Sequence, residues 1–260
     1  MTGGRTSAES RRYEDYDLNF TRKDRAFTPE MGARVVEDLQ AGMPDFNVRQ
    51  YFGTQPTIFE DYDHLGLATD RADGRVLGLL ASRWLRKPGV DSLYIWTAMV
   101  AGSHRQGALF KRLTRFFFER ICEDDPRNLP DVVSSKTYNP VFYKLLQGMF
   151  PRIDGVRLYP EIPGPQDPAL AELAGRIARA LNPNLVLVED TGAVLGGQAM
   201  VAPDFFPRMD RSPDERVNAH FAANLTRADQ VLCVVTIEPD AKPAVLENLR
   251  RRAPDPQPVA

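Results

Sequence analysis

Residues 94–113 read YIWTAMVAGSHRQGALFKRL, and the change of rhythm inside this stretch decides how the chain is organised. Up to Val100 the aromatic and β-branched residues suit a strand. From Gly107 the spacing turns helical, with Leu109, Leu113, Phe116, Phe117 and Ile121 on one face and Lys111, Arg115 and Glu119 on the other. Ser103 to Ala108 lie between. A strand that runs through a short loop into a helix sets unpaired N–H groups and the positive end of the helix dipole at the strand's end. Gly107 lets the backbone approach a phosphate without a Cβ in the way, and Arg105 adds a full charge. Many α/β turns share this outline and bind nothing, so a second element has to carry the function.

Working outward, the upstream elements are well punctuated. Thr28 as N-cap, Pro29 at the first helical position, Val35, Val36 and Leu39 on one face and Gly42 as the stop predict a helix. Strands are expected at 65–70, 76–85 and 92–100, the first two joined by the turn signal Asp73-Gly74. Downstream come a short strand, 131–136, and a helix from Pro140 to about Met149. The order is an α/β mixture in which a hairpin feeds a β-α-β crossover. Past the proline-rich link 160–168, helices are expected at 168–181, from the capping box at Ser212 to about Leu225, and at 243–252, with strands at 185–189 and 231–238. No motif in this half ties to chemistry.

The second element is Ser134-Ser135-Lys136-Thr137-Tyr138-Asn139-Pro140-Val141-Phe142-Tyr143-Lys144-Leu145-Leu146, another strand turning into a helix. Together with the first, it makes residues 20–160 resemble the GNAT acyltransferases. Their signature is a strand, an Arg/Gln-x-x-Gly-x-Gly/Ala loop and a helix, then a strand and an Asn-containing helix start with a Tyr downstream. The resemblance implies a mixed, mostly antiparallel sheet with splayed central strands flanked by helices, here with a C-terminal α/β extension. It implies acetyl-CoA or another acyl-CoA as donor, with Met99 and Val100 holding the pantetheine arm and the amides of Arg105, Gln106, Gly107, Ala108 and Leu109 holding the pyrophosphate. Asn139 is carried over as a coenzyme contact, although a helix cap is an equal reading.

The sequence departs from the signature at His104, where the family has Arg or Gln, and at Leu109, where it has Gly or Ala. The family's thiolate-protonating Tyr, seven residues after the Asn, falls on Leu146. Tyr143, four residues after Asn139, is the substitute candidate for the catalytic acid, against an ordinary packing role. For a base, Glu60, Asp61 and Asp63 would flank the acceptor end, with solvated turn residues the simpler reading. His64 and His104 belong to no nucleophile-base pair, no metal set is expected, and no Gly-x-Ser-x-Gly elbow is present.

Composition sets outer bounds. Lys and Arg number 33 against 35 Asp and Glu, which leaves a net charge of -2 and no electrostatic footprint for nucleic acid. No stretch is apolar for long enough to span a bilayer, and no secretory leader is visible, so a soluble, cytoplasmic protein is expected. Cys122 and Cys233 read as reduced core thiols. The expected division is a flexible start at 1–16, an acyl-CoA-binding domain at 17–160, an extension at 161–253 and a flexible tail at 254–260. The extension could complete the sheet, cover the acceptor cleft or form a homodimer surface. The function implied is transfer of an acyl group to a small-molecule or peptide amine. Its alternative is a GNAT-like module that senses acyl-CoA, or binds a partner, without turnover.

Overall fold

In the computed structural model, which describes residues 10–23, 28–105, 107–123, 125–150, 152–197 and 205–251, the elements follow the sequence's punctuation closely. Two strands open the chain, β1 (Ser10–Arg12) and β2 (Tyr16–Arg22). Helices α1 (Pro29–Gly42), α2 (Val48–Gly53) and α3 (Ile58–Asp61) follow. Strands β3 (His64–Asp70), β4 (Val76–Lys87) and β5 (Val90–Val100) then lead into α4 (Leu109–Cys122). After β6 (Val132–Thr137), α5 (Pro140–Met149) and β7 (Val156–Tyr159) come α6 (Pro168–Leu181), β8 (Val186–Val188), β9 (Ala193–Leu195), α7 (Glu215–Asn224), β10 (Gln230–Ile237) and α8 (Lys242–Arg250).

Local chemistry explains the helix starts. The Thr28 hydroxyl accepts from the Met31 N–H, Asn139 from Val141, Asp167 from Ala169, and Asp214 from Arg216. The cap of α7 is thus Asp214 rather than Ser212, which instead bonds Asn218 from outside the helix. At Gly74 the φ of +71° is the left-handed conformation that the β3–β4 turn requires.

The strands form one open sheet in the order β1-β2-β3-β4-β5-β6-β10-β9-β8, with β7 also on β10. Its pairings are antiparallel except for β5 with β6. Of the roles open to segment 161–253, β10 fills that of completing the sheet: it lies beside β6, with Val234 opposite Ser134. Ser10–Arg12, expected within the start at 1–16, pair with residues 17–19. Residues 1–9 and the tail 254–260 lie outside the described residues.

Two layers sandwich the sheet. Helix α4 buries Leu113, Phe116, Phe117 and Ile121 on one face, in a core shared with α5, α7 and α8. Each such side chain contributes about 1.5–3 kcal/mol on leaving water. The opposite face is covered in two patches, α1 and α2 over Leu79, Ala81 and Met99, and α6 over Tyr94, Leu232 and Val234. Trp96 packs against both patches and marks the seam between them. Among the described residues, no helix is long and apolar enough to cross a membrane.

Candidate functional site

The parallel pairing of β5 with β6 lasts three residues, Leu93 with Val133, Tyr94 with Ser134 and Ile95 with Ser135. Beyond that the strands part, although β5 runs on to Val100 and β6 to Thr137. The Ser135 hydroxyl donates to the Ile95 carbonyl at 3.0 Å, at the apex of the opening. A β-bulge sits there too. Ala81 faces Thr97 and Ser82 faces Ile95, so Trp96 is the extra residue. A bulge bends its strand and re-aims side chains, which accounts for β5 turning away. Trp96 and Thr97 consequently share the α1–α2 face, and Ala98, on the α4 face, is exposed between buried neighbours. An exposed alanine there means open space along the diverging part of β5.

The loop after β5 is partly as expected. Helix α4 starts at Leu109 with Ala108 as N-cap and no side-chain cap, which leaves its first-turn amides without partners inside the helix. Gly107, however, spends its own N–H on the His104 carbonyl at 3.1 Å. A Cβ at Gly107 would meet that carbonyl at 3.4 Å and nothing closer. Arg105 turns back instead of reaching outward: its Nε donates to the Val100 carbonyl at 3.3 Å, and its guanidinium lies 4.1 Å over the Phe46 ring. One backbone acceptor expected to hold pantetheine is therefore already engaged, while Met99 packs into the α1–α2 core. Gln106 lies outside the described residues.

On the β6 side, Asn139 caps α5 through Val141 and also donates from Nδ2 to Asp210 at 3.0 Å. Tyr143, the candidate acid, stands in the core. It is 0% exposed, and its hydroxyl donates to the Pro160 carbonyl at 2.7 Å and accepts from Gln147 Nε2 at 3.3 Å. Burial pushes its pKa above that of an ordinary phenol, and the side chain packs in the core beside Phe221. The phenol's hydrogen-bonding capacity is thus spent within the fold. Leu146, at the position where the resemblance places a tyrosine, is equally buried.

The acidic candidates separate by role. Asp63 accepts the Trp84 N–H at 2.6 Å and is structural, whereas Glu60 and Asp61 face solvent. His64 bonds Ser82 at 3.1 Å, and burial, with Arg22 nearby, lowers its pKa to about 4. His104 bonds Ser103 at 2.8 Å on the surface.

Sequence reasoning missed the polar centre of the α1–α2 face. The Thr97 hydroxyl meets Tyr62 Oη at 2.6 Å and Tyr51 Oη at 3.0 Å, one residue past the bulge. Tyr51 and Tyr62 stand eleven residues apart in the sequence, and nothing local to either names Thr97 on β5 as the common partner. Sequence reasoning also missed a strap. Phe205 packs edge-on against Phe46 and at a tilt against Tyr51, Phe206 lies 5.3 Å from Tyr138, and Asp210 accepts from Asn139, so residues 205–210 bridge the two sides of the opening. The extension thus contributes residues 205–210 across the opening as well as β10 to the sheet. A separate cavity of about 560 Å³ lies among α5, β7 and α6, where Arg152 pairs with Glu161 and Arg157 with Asp167.

No family model matches the chain, and no curated protein does. Solved structures do. A GNAT-family N-acetyltransferase from Escherichia coli in complex with CoA is similar at 16% identity and a TM-score of 0.39, over 50% of this chain and 66% of that one. Diaminobutyrate acetyltransferase from Paenibacillus lautus, in complex with its substrate and coenzyme A, gives 16% identity and a TM-score of 0.39, over 85% and 95%. Ribosomal-protein-S5-alanine acetyltransferase from Vibrio fischeri gives 8% and 0.38, over 88% and 96%. Likenesses this distant leave the chemistry to be argued from the chain's own residues.

Proposed function

We propose that this chain is an N-acyltransferase that moves an acetyl or other short acyl group from acyl-CoA to an amine by direct attack. The observation that carries it is the parting of β5 from β6 after Ile95 and Ser135, with the uncapped start of α4 close by. A thioester arm laid between the strands would have backbone on both sides, exposed Ala98 beside it, and helix amides for the pyrophosphate. The amine would approach from the α1–α2 face, where Trp96, Thr97 and Tyr62 meet.

The amine nitrogen attacks the thioester carbonyl, a C–N bond forms, and collapse of the tetrahedral intermediate breaks the C–S bond. The nitrogen gives up one proton and the thiolate takes one. With Tyr143 locked in the core, that proton passes through solvent in the cleft rather than through the phenol. Most of the rate then comes from positioning. Buried Cys122 and Cys233 suit a cytoplasmic setting.

Calorimetry with CoA and acetyl-CoA, followed by single-turnover assays on a panel of amines, tests the proposal. Micromolar binding with acylated product is expected. Binding without any product would leave a coenzyme-sensing module, and absence of binding would end the acyl-CoA reading.

A further inference from the structure

Arg83 on β4 and Lys136 on β6 are brought together by strand register. Arg83 pairs with Tyr94, Tyr94 with Ser134, and Lys136 follows Ser134 by two residues on the same face. The Arg83 guanidinium lies 3.9 Å over the Trp96 ring and 6.0 Å over that of Tyr94. Both cations are half-buried, in the seam where the α1–α2 patch meets the α6 patch. Lys136 is the first residue of β6 past the last pair with β5, so the two cations stand at the opening itself.

Their electrostatics are uncompensated. Arg83 Nε is buried and has no hydrogen-bond partner, and among the described residues no carboxylate pairs with either cation. Burial, and after it the neighbouring charge of Arg83, lowers the Lys136 ammonium's pKa to about 8. Tyr94 from β5 is the titratable neighbour and is held neutral by burial, while β10 presents Leu232 opposite Lys136. Two adjacent cations removed from water are costly unless an anion completes them. A guanidinium fork beside an ammonium matches the two oxygens of a carboxylate.

We propose that Arg83 and Lys136 form an oxyanion subsite at the mouth of the β5–β6 opening, which holds the carboxylate of the amine acceptor. The inference rests on the acyltransferase reading for the word acceptor, while the subsite itself does not. It makes the substrate class amino acids or other carboxylate-bearing amines, held by their acid end near the reacting carbonyl.

The test compares β-alanine, phosphoethanolamine and uncharged ethanolamine as acceptors, with wild type, Arg83→Gln, Lys136→Gln and Lys136→Arg. Wild type should favour β-alanine over ethanolamine by about ten- to a hundredfold in kcat/KM, the size of one or two charge-assisted hydrogen bonds. Arg83→Gln and Lys136→Gln should erase that preference through KM, and Lys136→Arg should keep it. Loss of kcat in Lys136→Arg at saturating acceptor would make Lys136 a base and overturn the subsite. Preference for phosphoethanolamine over β-alanine would overturn the carboxylate. A fall in affinity for CoA, but not for dephospho-CoA, in Arg83→Gln would assign the cations to the donor's phosphate and overturn it as well.

A readout independent of turnover follows Lys136 by NMR in reductively ¹³C-methylated protein, with Lys136→Arg for assignment. Succinate should raise the Lys136 pKa, because a bound anion favours the charged form. If acetyl-CoA fails to bind but succinate still shifts Lys136, the acyltransferase reading falls and the subsite stands. If succinate leaves Lys136 unmoved, the subsite falls.

Discussion

Replacing Tyr143 with Phe separates a structural phenol from a catalytic one. In the fold the hydroxyl joins the Pro160 carbonyl at 2.7 Å to Gln147 Nε2 at 3.3 Å, with the ring fully buried. Phe keeps the ring and removes only the oxygen, so the Pro160 carbonyl loses its donor in the core. An unsatisfied buried group of this kind costs about 1–3 kcal/mol. For a chain of this size each kcal/mol moves Tm by about 2–4 °C, so a fall of about 2–12 °C is expected in a thermal melt. Turnover, followed by release of free CoA thiol at a temperature well below either melt, should be unchanged within about twofold. A positioned acid would instead be worth about a hundred- to ten-thousandfold. A loss of that size in kcat with Tm unaltered would refute the reasoning and return Tyr143 to the reaction.

Ala98→Arg should abolish CoA binding in calorimetry with little change in Tm, because the side chain fills open space on β5 rather than the core. Gly107→Glu should weaken CoA by at least about tenfold through repulsion of the phosphates, which a salt titration would partly relieve. Below pH 6.5 the unfolded chain protonates His64 while the folded one resists down to about 4. Stability is therefore full above pH 6.5 and declines by up to about 3 kcal/mol as pH falls to 4. His64→Phe should flatten this acid limb in chemical denaturation curves taken at several pH values.

What the sequence made legible depended on how local the cause was. The start of α1 at Thr28-Pro29 and the turn at Asp73-Gly74 are set by a few adjacent residues, and the structure has them where they were read. Strand β2 carried a period-two signal too, with Tyr16, Leu18 and Phe20 buried in alternation, but it sat in a polar segment that hid it. The opening between β5 and β6 came from resemblance alone, since nothing in either strand's composition tells where pairing stops. The partner of Tyr143 was hidden for a similar reason. The tyrosine's helical spacing was visible, but the Pro160 carbonyl that claims it lies seventeen residues on. Arg83 and Lys136 meet only through the register of the strand between them, β5, which no local pattern encodes.

The position of β10 carries a consequence for how the molecule comes to exist. One wall of the cleft is β6, and β6 has its second edge satisfied by residues made roughly a hundred positions later, as in Ser134 with Val234. During synthesis that edge stays bare, with main-chain groups ready to pair with any other extended segment. A nascent chain halted before Gln230 would own every residue of the β5–β6 opening yet lack the brace that holds it apart. Such a chain should cling to chaperones and yield no binder.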